Sequence, residues 1–321
     1  MLELPAYLAH ISSPETLITP REVVRSTFIS VALEKNRRAT PYVESARALR
    51  DAARNAQTPM DLLSIPNIEA GMLTAAGLSA KALKHLNEAD RHTAISEFIR
   101  LYLDPTGPHF VDELIYRYLL TSGDALGGSI RNIVGGLATD RFIRSLIANL
   151  TVAGHPYSWQ TARNKLWQTG QPDFVAPSDS LRALHWQAHN SQPRTLVLNA
   201  TLPEVDSKNI DLCLINLPAH DADNRAVRTK SNFVALGELK GGIDPAGSDE
   251  HWKTANTALG RIREAFTDQP SPPHIFFVGA AIVNSVAADI WQQLLNRQLA
   301  HAANLYEDSQ LNALTRWLIS L

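Results

Sequence analysis

Asn232-Phe-Val-Ala-Leu-Gly-Glu-Leu-Lys240, followed at once by Gly241-Gly-Ile-Asp-Pro-Ala-Gly247, is the stretch on which the fold turns. Its first part is an apolar run of strand length, and its second is a glycine- and proline-rich turn that ends the run. Residues two apart on a strand share a face, so Glu238 and Lys240 point the same way. About one strand upstream lies Ile210-Asp-Leu-Cys-Leu-Ile215, a second apolar run with Asp211 near its start. Two carboxylates and an ammonium meeting on neighbouring strands suit metal-dependent phosphodiester hydrolysis. The acids hold Mg²⁺, and metal and lysine together offset the charge that grows on the attacked phosphate.

Around this stretch the second half of the chain alternates strands and helices. Strand-like runs are expected at Arg194–Leu198, Ile210–Leu217, Asn232–Lys240 and His274–Val283, with helices at Trp252–Phe266 and Ala287–Leu305. That order predicts an α/β fold, a central mixed sheet flanked by helices. The first half reads as helical: Arg21–Lys35 after Thr19-Pro20, with the threonine placed to cap, then Tyr42–Asn55, Ser79–Asn87, Arg91–Leu103, Phe110–Leu120 and Asp140–Leu150. The expected division is a mainly helical region over residues 1–122 and a core with helical insertions over 123–321.

At 321 residues the chain is long enough to bury a substantial core, and its formal net charge of -2 means that any affinity for nucleic acid comes from local basic patches. One such patch is residues 121–170, where basic side chains outnumber acidic ones. The single cysteine, Cys213, excludes an intrachain disulfide and a cysteine-based zinc cluster, and reads as a small buried hydrophobe. Met1-Leu-Glu-Leu-Pro5 has no basic segment before an apolar one, and no apolar run reaches the roughly 18 residues of a membrane span. The expected location is the cytoplasm. No G-x-G-x-x-G loop follows a strand, which sets aside a dinucleotide-dependent oxidoreductase.

Taken singly, Asp211 is a common strand-end acid and Glu238-x-Lys240 a common solvated pair; together, beside a glycine-rich turn, they favour a site. The segment Gly237-Glu-Leu-Lys-Gly-Gly-Ile-Asp-Pro-Ala-Gly-Ser-Asp-Glu-His-Trp-Lys-Thr254 resembles the catalytic segment of the AvaI/BsoBI family of type II restriction endonucleases, in the PD-(D/E)XK nuclease superfamily. The resemblance implies the restriction-endonuclease-like core with a substantial additional helical region that helps enclose DNA. It implies a metal site of Asp211, Glu238 and the Leu239 carbonyl, with Lys240 assisting and His251 active shortly after it. Ile210 stands where the proline of the superfamily name would be.

For His251 a second reading stands beside the first: a histidine at a helix start bonded to Asp249 or Glu250. Lys240 either eases formation of hydroxide or neutralises the pentavalent transition state. By the same resemblance Lys81, Lys208 and Asp244 match residues that read bases, against plain roles as two solvated lysines and a turn-capping aspartate. Arg225, Arg228 and Lys230 are candidates for backbone phosphates. So is Arg131, in the glycine-rich segment Gly123-Asp-Ala-Leu-Gly-Gly-Ser-Ile-Arg-Asn132, where paired glycines permit close approach of the main chain. Trp159, Trp167 and Trp186 read as packing residues, because a duplex offers little exposed base face.

The implied function is Mg²⁺-dependent, site-specific cleavage of double-stranded DNA at a short symmetric, degenerate sequence of the form CYCGRG, leaving 5′-phosphate ends. A symmetric target implies a homodimer. The alternatives are another PD-(D/E)XK repair or recombination nuclease, and a non-enzymatic DNA-binding protein whose acid–lysine pair is only a salt bridge.

Overall fold

In the computed structural model, which describes residues 5–79, 81–170, 181–189, 191–222 and 229–321 (main chain alone for 129–133), the chain divides into two units. One comprises Met1–Phe28 with Ile133–Leu321, the other Ile29–Asn132.

The first unit is built on an eight-stranded sheet: β1 (Tyr157–Thr161), β2 (Gln168–Thr169), β3 (Leu181–Gln187), β4 (Pro193–Leu202), β5 (Lys208–Ile215), β6 (Phe233–Lys240), β7 (His274–Gly279) and β8 (His301–Asn304). Their spatial order is β2-β1-β3-β4-β5-β6-β7-β8. Pairing is antiparallel from β2 through β6 and parallel from β6 to β8, so the sheet is mixed, as expected. Parallel neighbours need a crossover, and helices supply it. α5 (Ser248–Ala265) joins β6 to β7, and α6 (Asn284–Leu295) joins β7 to β8.

Alternation along β7 assigns a cover to each face of the sheet. Phe276 packs edge-on against Trp317 of α7 (Asp308–Ser320), whereas the next residue, Phe277, packs against Trp252 of α5. With both faces covered, β7 carries an apolar run in place of an alternating one. On the α5 side Cys213, Leu236, Phe277, Leu259, Ile262 and Phe266 share one core with Tyr7, Ile11 and Leu17 of the N-terminal segment. Cys213 is buried there, and Trp186 is buried within β3. Trp159 donates to Gly170 O, and Trp167 packs edge-on against His185.

The expected helix over Ala287–Leu305 stops ten residues short, at Leu295. Arg297 takes a left-handed φ of 59°, and Gln298 and Leu299 both donate to Gln293 O, which turns the chain out of the helix. His301-Ala-Ala-Asn304 then pairs with Phe276–Gly279 as β8. Alanine's helix preference loses here to burial beside β7.

Helices α1 (Arg21–Ala53), α2 (Glu69–Ala75), α3 (Glu88–Phe98) and α4 (Phe110–Val152) make up most of the remaining structure. The two helices expected over Arg21–Lys35 and Tyr42–Asn55 are one, running through Pro41. The expected Ser79–Asn87 helix is only a short 3-10 turn over Ala82–His85, and Asn87 instead caps α3 by accepting from Asp90 N at 2.9 Å. Residues Ile99–Leu103 extend α3 as a π-type turn. The helices expected over Phe110–Leu120 and Asp140–Leu150 are parts of one, α4, which runs unbroken for 43 residues and takes in the glycine-rich Gly123–Asn132 segment. Each helical glycine costs about 1 kcal/mol relative to alanine, and buried Ala138, Phe142, Leu146 and Leu150, spaced four apart, supply the packing that offsets it. Among the described residues, no helix is long and apolar enough to cross a membrane.

Candidate active site

Strands β5 and β6 are paired from Ile215↔Phe233 to Leu212↔Gly237, and one further step sets Asp211 opposite Glu238. Opposite residues of an antiparallel pair project from the same face. Glu238 is also in register with Phe277, so Asp211 and Glu238 lie on the face that α5 covers. Gly237 permits this register, because a Cβ there would lie 2.5–2.7 Å from the Phe276 ring.

The three charged groups converge. Lys240 Nζ donates to Glu238 Oε2 at 2.6 Å and to Asp211 Oδ2 at 3.0 Å, and the Leu239 N–H donates to the same Asp211 oxygen at 3.0 Å. Lys240 O accepts from Ala280 N after β7, so the polar main-chain groups of the preceding residue, Leu239, face β5 and Asp211.

Two acids against one base leave an excess of negative charge. Glu238 is almost fully buried, and burial, reinforced by the Asp211 charge, pushes its carboxyl up to about 7 despite the ammonium beside it. Burial alone would lower Lys240, but the Asp211 and Glu238 carboxylates outweigh it and hold the ammonium above its usual range. Glu238 Oε1 is buried without a hydrogen-bond partner, an arrangement that costs free energy unless something positive or protic meets it. Among the described residues no group of three or more His, Cys, Asp or Glu side chains is placed to hold a metal ion. Two carboxylates and a main-chain carbonyl are nevertheless a hard-oxygen donor set suited to Mg²⁺, which keeps several waters and takes other oxygens from phosphate.

A fourth candidate group, His251, lies against the turn that follows β6. Asp244 caps the turn by accepting from Ala246 N at 3.0 Å, and α5 begins at Ser248. His251, in the first turn of α5, lays its ring over Gly242, where a Cβ would collide with Nε2. Asp249 is engaged elsewhere, accepting from Ser285 Oγ at 2.9 Å. Gly241 packs against α4, its hypothetical Cβ 2.6 Å from Ala138 Cβ.

The other expected contacts are less uniform. Lys208 is exposed at the start of β5, three residues before Asp211, and Asp244 is exposed in the turn. Lys81 is exposed beside the Ala82–His85 turn, in the other unit. Lys230 is committed to Asp268, 3.0 and 3.1 Å from its two carboxylate oxygens. Arg225, Arg228 and the side chain of Arg131 lie outside the described residues. Sequence reasoning gave no sign that Ser248 Oγ donates to Ala281 O, or that Thr19 bonds to Ala280 and Ile282. No local pattern links residues that far apart in the chain.

The restriction endonuclease BsobI family model matches residues 7–321. The type II restriction enzyme AvaI of Nostoc sp. (strain PCC 7120 / SAG 25.82 / UTEX 2576) is 45% identical over 315 residues, covering 98% of this chain and 99% of that protein. AvaI of Anabaena variabilis gives the same figures. The type II restriction enzyme BsoBI of Geobacillus stearothermophilus is 45% identical over 316 residues, covering 97% of each chain. The chain therefore belongs to the BsobI restriction endonuclease family, within the PD-(D/E)XK superfamily, and is a hydrolase, a nuclease acting on double-stranded DNA.

Proposed function

We propose that this chain is a type II site-specific deoxyribonuclease that acts as a homodimer on a short symmetric sequence of the form CYCGRG and leaves 5′-phosphate ends. The observation that carries this reading is the convergence of Asp211, Glu238 and Lys240, with one buried carboxylate oxygen of Glu238 left unpartnered. Asp211, Glu238 and the Leu239 carbonyl would hold Mg²⁺. When bound, that ion would supply Lewis-acid stabilisation of the charge that grows on the scissile phosphate and would favour ionisation of the attacking water. Lys240, held between the two acids, presents a fixed positive charge to the same phosphate. His251 stands beside the attacked group and accepts or orients the proton of the attacking water. Lys208, Asp244 and Lys81 contact base edges.

Incubation of plasmid and linear duplex with the protein, with Mg²⁺ or with chelator, followed by sequencing of the new ends, tests this. Cleavage at one short symmetric sequence, only with the metal and with phosphate on the 5′ side, is the expected result. Nicking at scattered positions or at DNA junctions favours a repair or recombination nuclease. Binding without hydrolysis overturns the enzymatic reading.

A further inference from the structure

Ala280-Ala281-Ile282, the segment that leaves β7, is a strap whose main-chain groups are tied to three different parts of this unit. The Ala280 N–H donates to Lys240 O at 2.9 Å, and Ala281 O accepts from Ser248 Oγ at 2.7 Å. Among the described residues, its other main-chain hydrogen bonds come from Thr19. Thr19 Oγ1 donates to Ala280 O at 3.1 Å and accepts from the Ile282 N–H at 2.9 Å, while the Thr19 N–H donates to Ile282 O at 2.9 Å. Asn304 Nδ2 donates to the same hydroxyl at 2.9 Å and to Leu17 O at 3.1 Å, and Gln310 Nε2 donates to Thr16 O at 2.6 Å. A threonine hydroxyl has one proton to give and two lone pairs to fill, and here all three are used.

The strap touches the proposed site from two sides. Lys240 is the last residue of β6, and Ser248 is the first residue of α5, one helical turn before His251. Ala280, Ile282 and Ser248 are each at most 2% exposed, so water does not replace a lost hydrogen bond without movement of the chain.

We propose that Thr19 is a positioning residue for DNA cleavage: its hydroxyl fixes the Ala280–Ile282 strap, which sets the Lys240 main chain and the start of the helix carrying His251. This rests on the reading that Lys240 and His251 act on the scissile phosphate. Thr19→Val keeps the shape but leaves Ala280 O and the Ile282 N–H unpaired, and the strap relaxes toward other partners. Small displacements of reacting groups cost up to about a hundredfold in rate. Thr19→Ser keeps the hydroxyl and the geometry.

The test compares Thr19→Val, Thr19→Ser, Ser248→Ala and Lys240→Ala in the full-length protein. Measurements are single-turnover cleavage at saturating enzyme, metal-free duplex affinity, melting temperature and the imidazole NMR signal of His251, assigned with His251→Gln. Thr19→Val is expected to cleave about 10- to 100-fold more slowly with unchanged metal-free affinity and a moved His251 signal. Thr19→Ser restores both. Ser248→Ala, which cuts only the helix side of the strap, slows cleavage in the same direction and serves if Thr19→Val does not fold. Wild-type cleavage by a folded Thr19→Val, or a lowered melting temperature with an unmoved His251 signal, overturns the proposal. Full activity in Lys240→Ala would instead overturn the reading of the site.

Discussion

Asp211 and Leu239 are joined across two strands by a hydrogen bond from the Leu239 N–H to Asp211 Oδ2, 3.0 Å long, onto the same oxygen that Lys240 Nζ meets at 3.0 Å. One carboxylate oxygen thus ties β5 to the end of β6 and fixes the ammonium beside it. Main chain holds Asp211 in place, and the Lys240 side chain closes the trio by reaching both acids.

Asp211→Asn and Lys240→Ala are therefore expected to separate charge from shape. Both lose Mg²⁺-dependent cleavage by about 10²–10³-fold or more, the usual cost of removing one transition-state partner. Their effects on metal-free duplex affinity have opposite signs. Removing a carboxylate that faces phosphate tightens binding, and removing an ammonium weakens it. Fluorescence anisotropy in chelator measures this, and a shift of both in one direction would mean that the trio does not face the DNA backbone.

Gly237 and Gly242 predict contrasting alanine variants. A Cβ on Gly237 meets the fully buried Phe276 ring, which has nowhere to go, so Gly237→Ala destabilises by about 1–3 kcal/mol. A Cβ on Gly242 meets the His251 ring, which is exposed and can swing away. Gly242→Ala should keep its denaturation midpoint and lose cleavage to the level of His251→Ala. Retained cleavage in Gly242→Ala would remove His251 from the reaction.

Much of this site was legible because its signals are local. The apolar run into Glu238-Leu239-Lys240 sets the strand and the shared face, and the glycine-proline turn sets its end. Strands β1 and β3 escaped notice because Tyr157-Ser-Trp-Gln-Thr161 and Leu181-Arg-Ala-Leu-His-Trp-Gln187 mix polar with apolar residues without clean alternation. β8 was hidden by two alanines whose burial beside β7 is a property of the assembled sheet. The glycines of α4 weaken the helical signal between Leu120 and Asp140, and only packing of its Ala138–Leu150 side shows why they are tolerated. Thr19 was assigned to capping α1, but its hydroxyl bonds to residues more than 260 positions away, which no window along the chain reveals.

Acid sensitivity is expected to centre on His301. Its ring is fully buried against Trp317, Nδ1 lies 2.9 Å from Ala302 O, and Nε2 has no partner. Burial, opposed only in part by that carbonyl, pushes it down to about 4. The unfolded chain, with an ordinary histidine, binds the proton first, so stability is full above about pH 6.5 and is lost as pH falls toward 4. The difference between the buried and the ordinary imidazole is on the order of 3 kcal/mol. Denaturant midpoints between pH 7 and pH 4 should fall for the wild type and flatten for His301→Leu, whatever its plateau. An unchanged slope in that variant would place the acid response elsewhere.

Asp244 allows base reading to be told apart from turn capping. Its Oδ1 accepts the Ala246 N–H at 3.0 Å, and an asparagine oxygen can do the same, so Asp244→Asn keeps the turn. What changes is the second oxygen, which becomes a donor where a cytosine amino group requires an acceptor. Asp244→Asn should therefore melt with the wild type, bind its cognate duplex about 5- to 150-fold more weakly, and bind unrelated duplex unchanged. Lys208→Ala, at the start of β5, should lose cognate affinity as well. Lys230→Ala should lose little, because its ammonium is already held by Asp268. Equal losses on cognate and unrelated DNA in Asp244→Asn would return this residue to the turn-capping role.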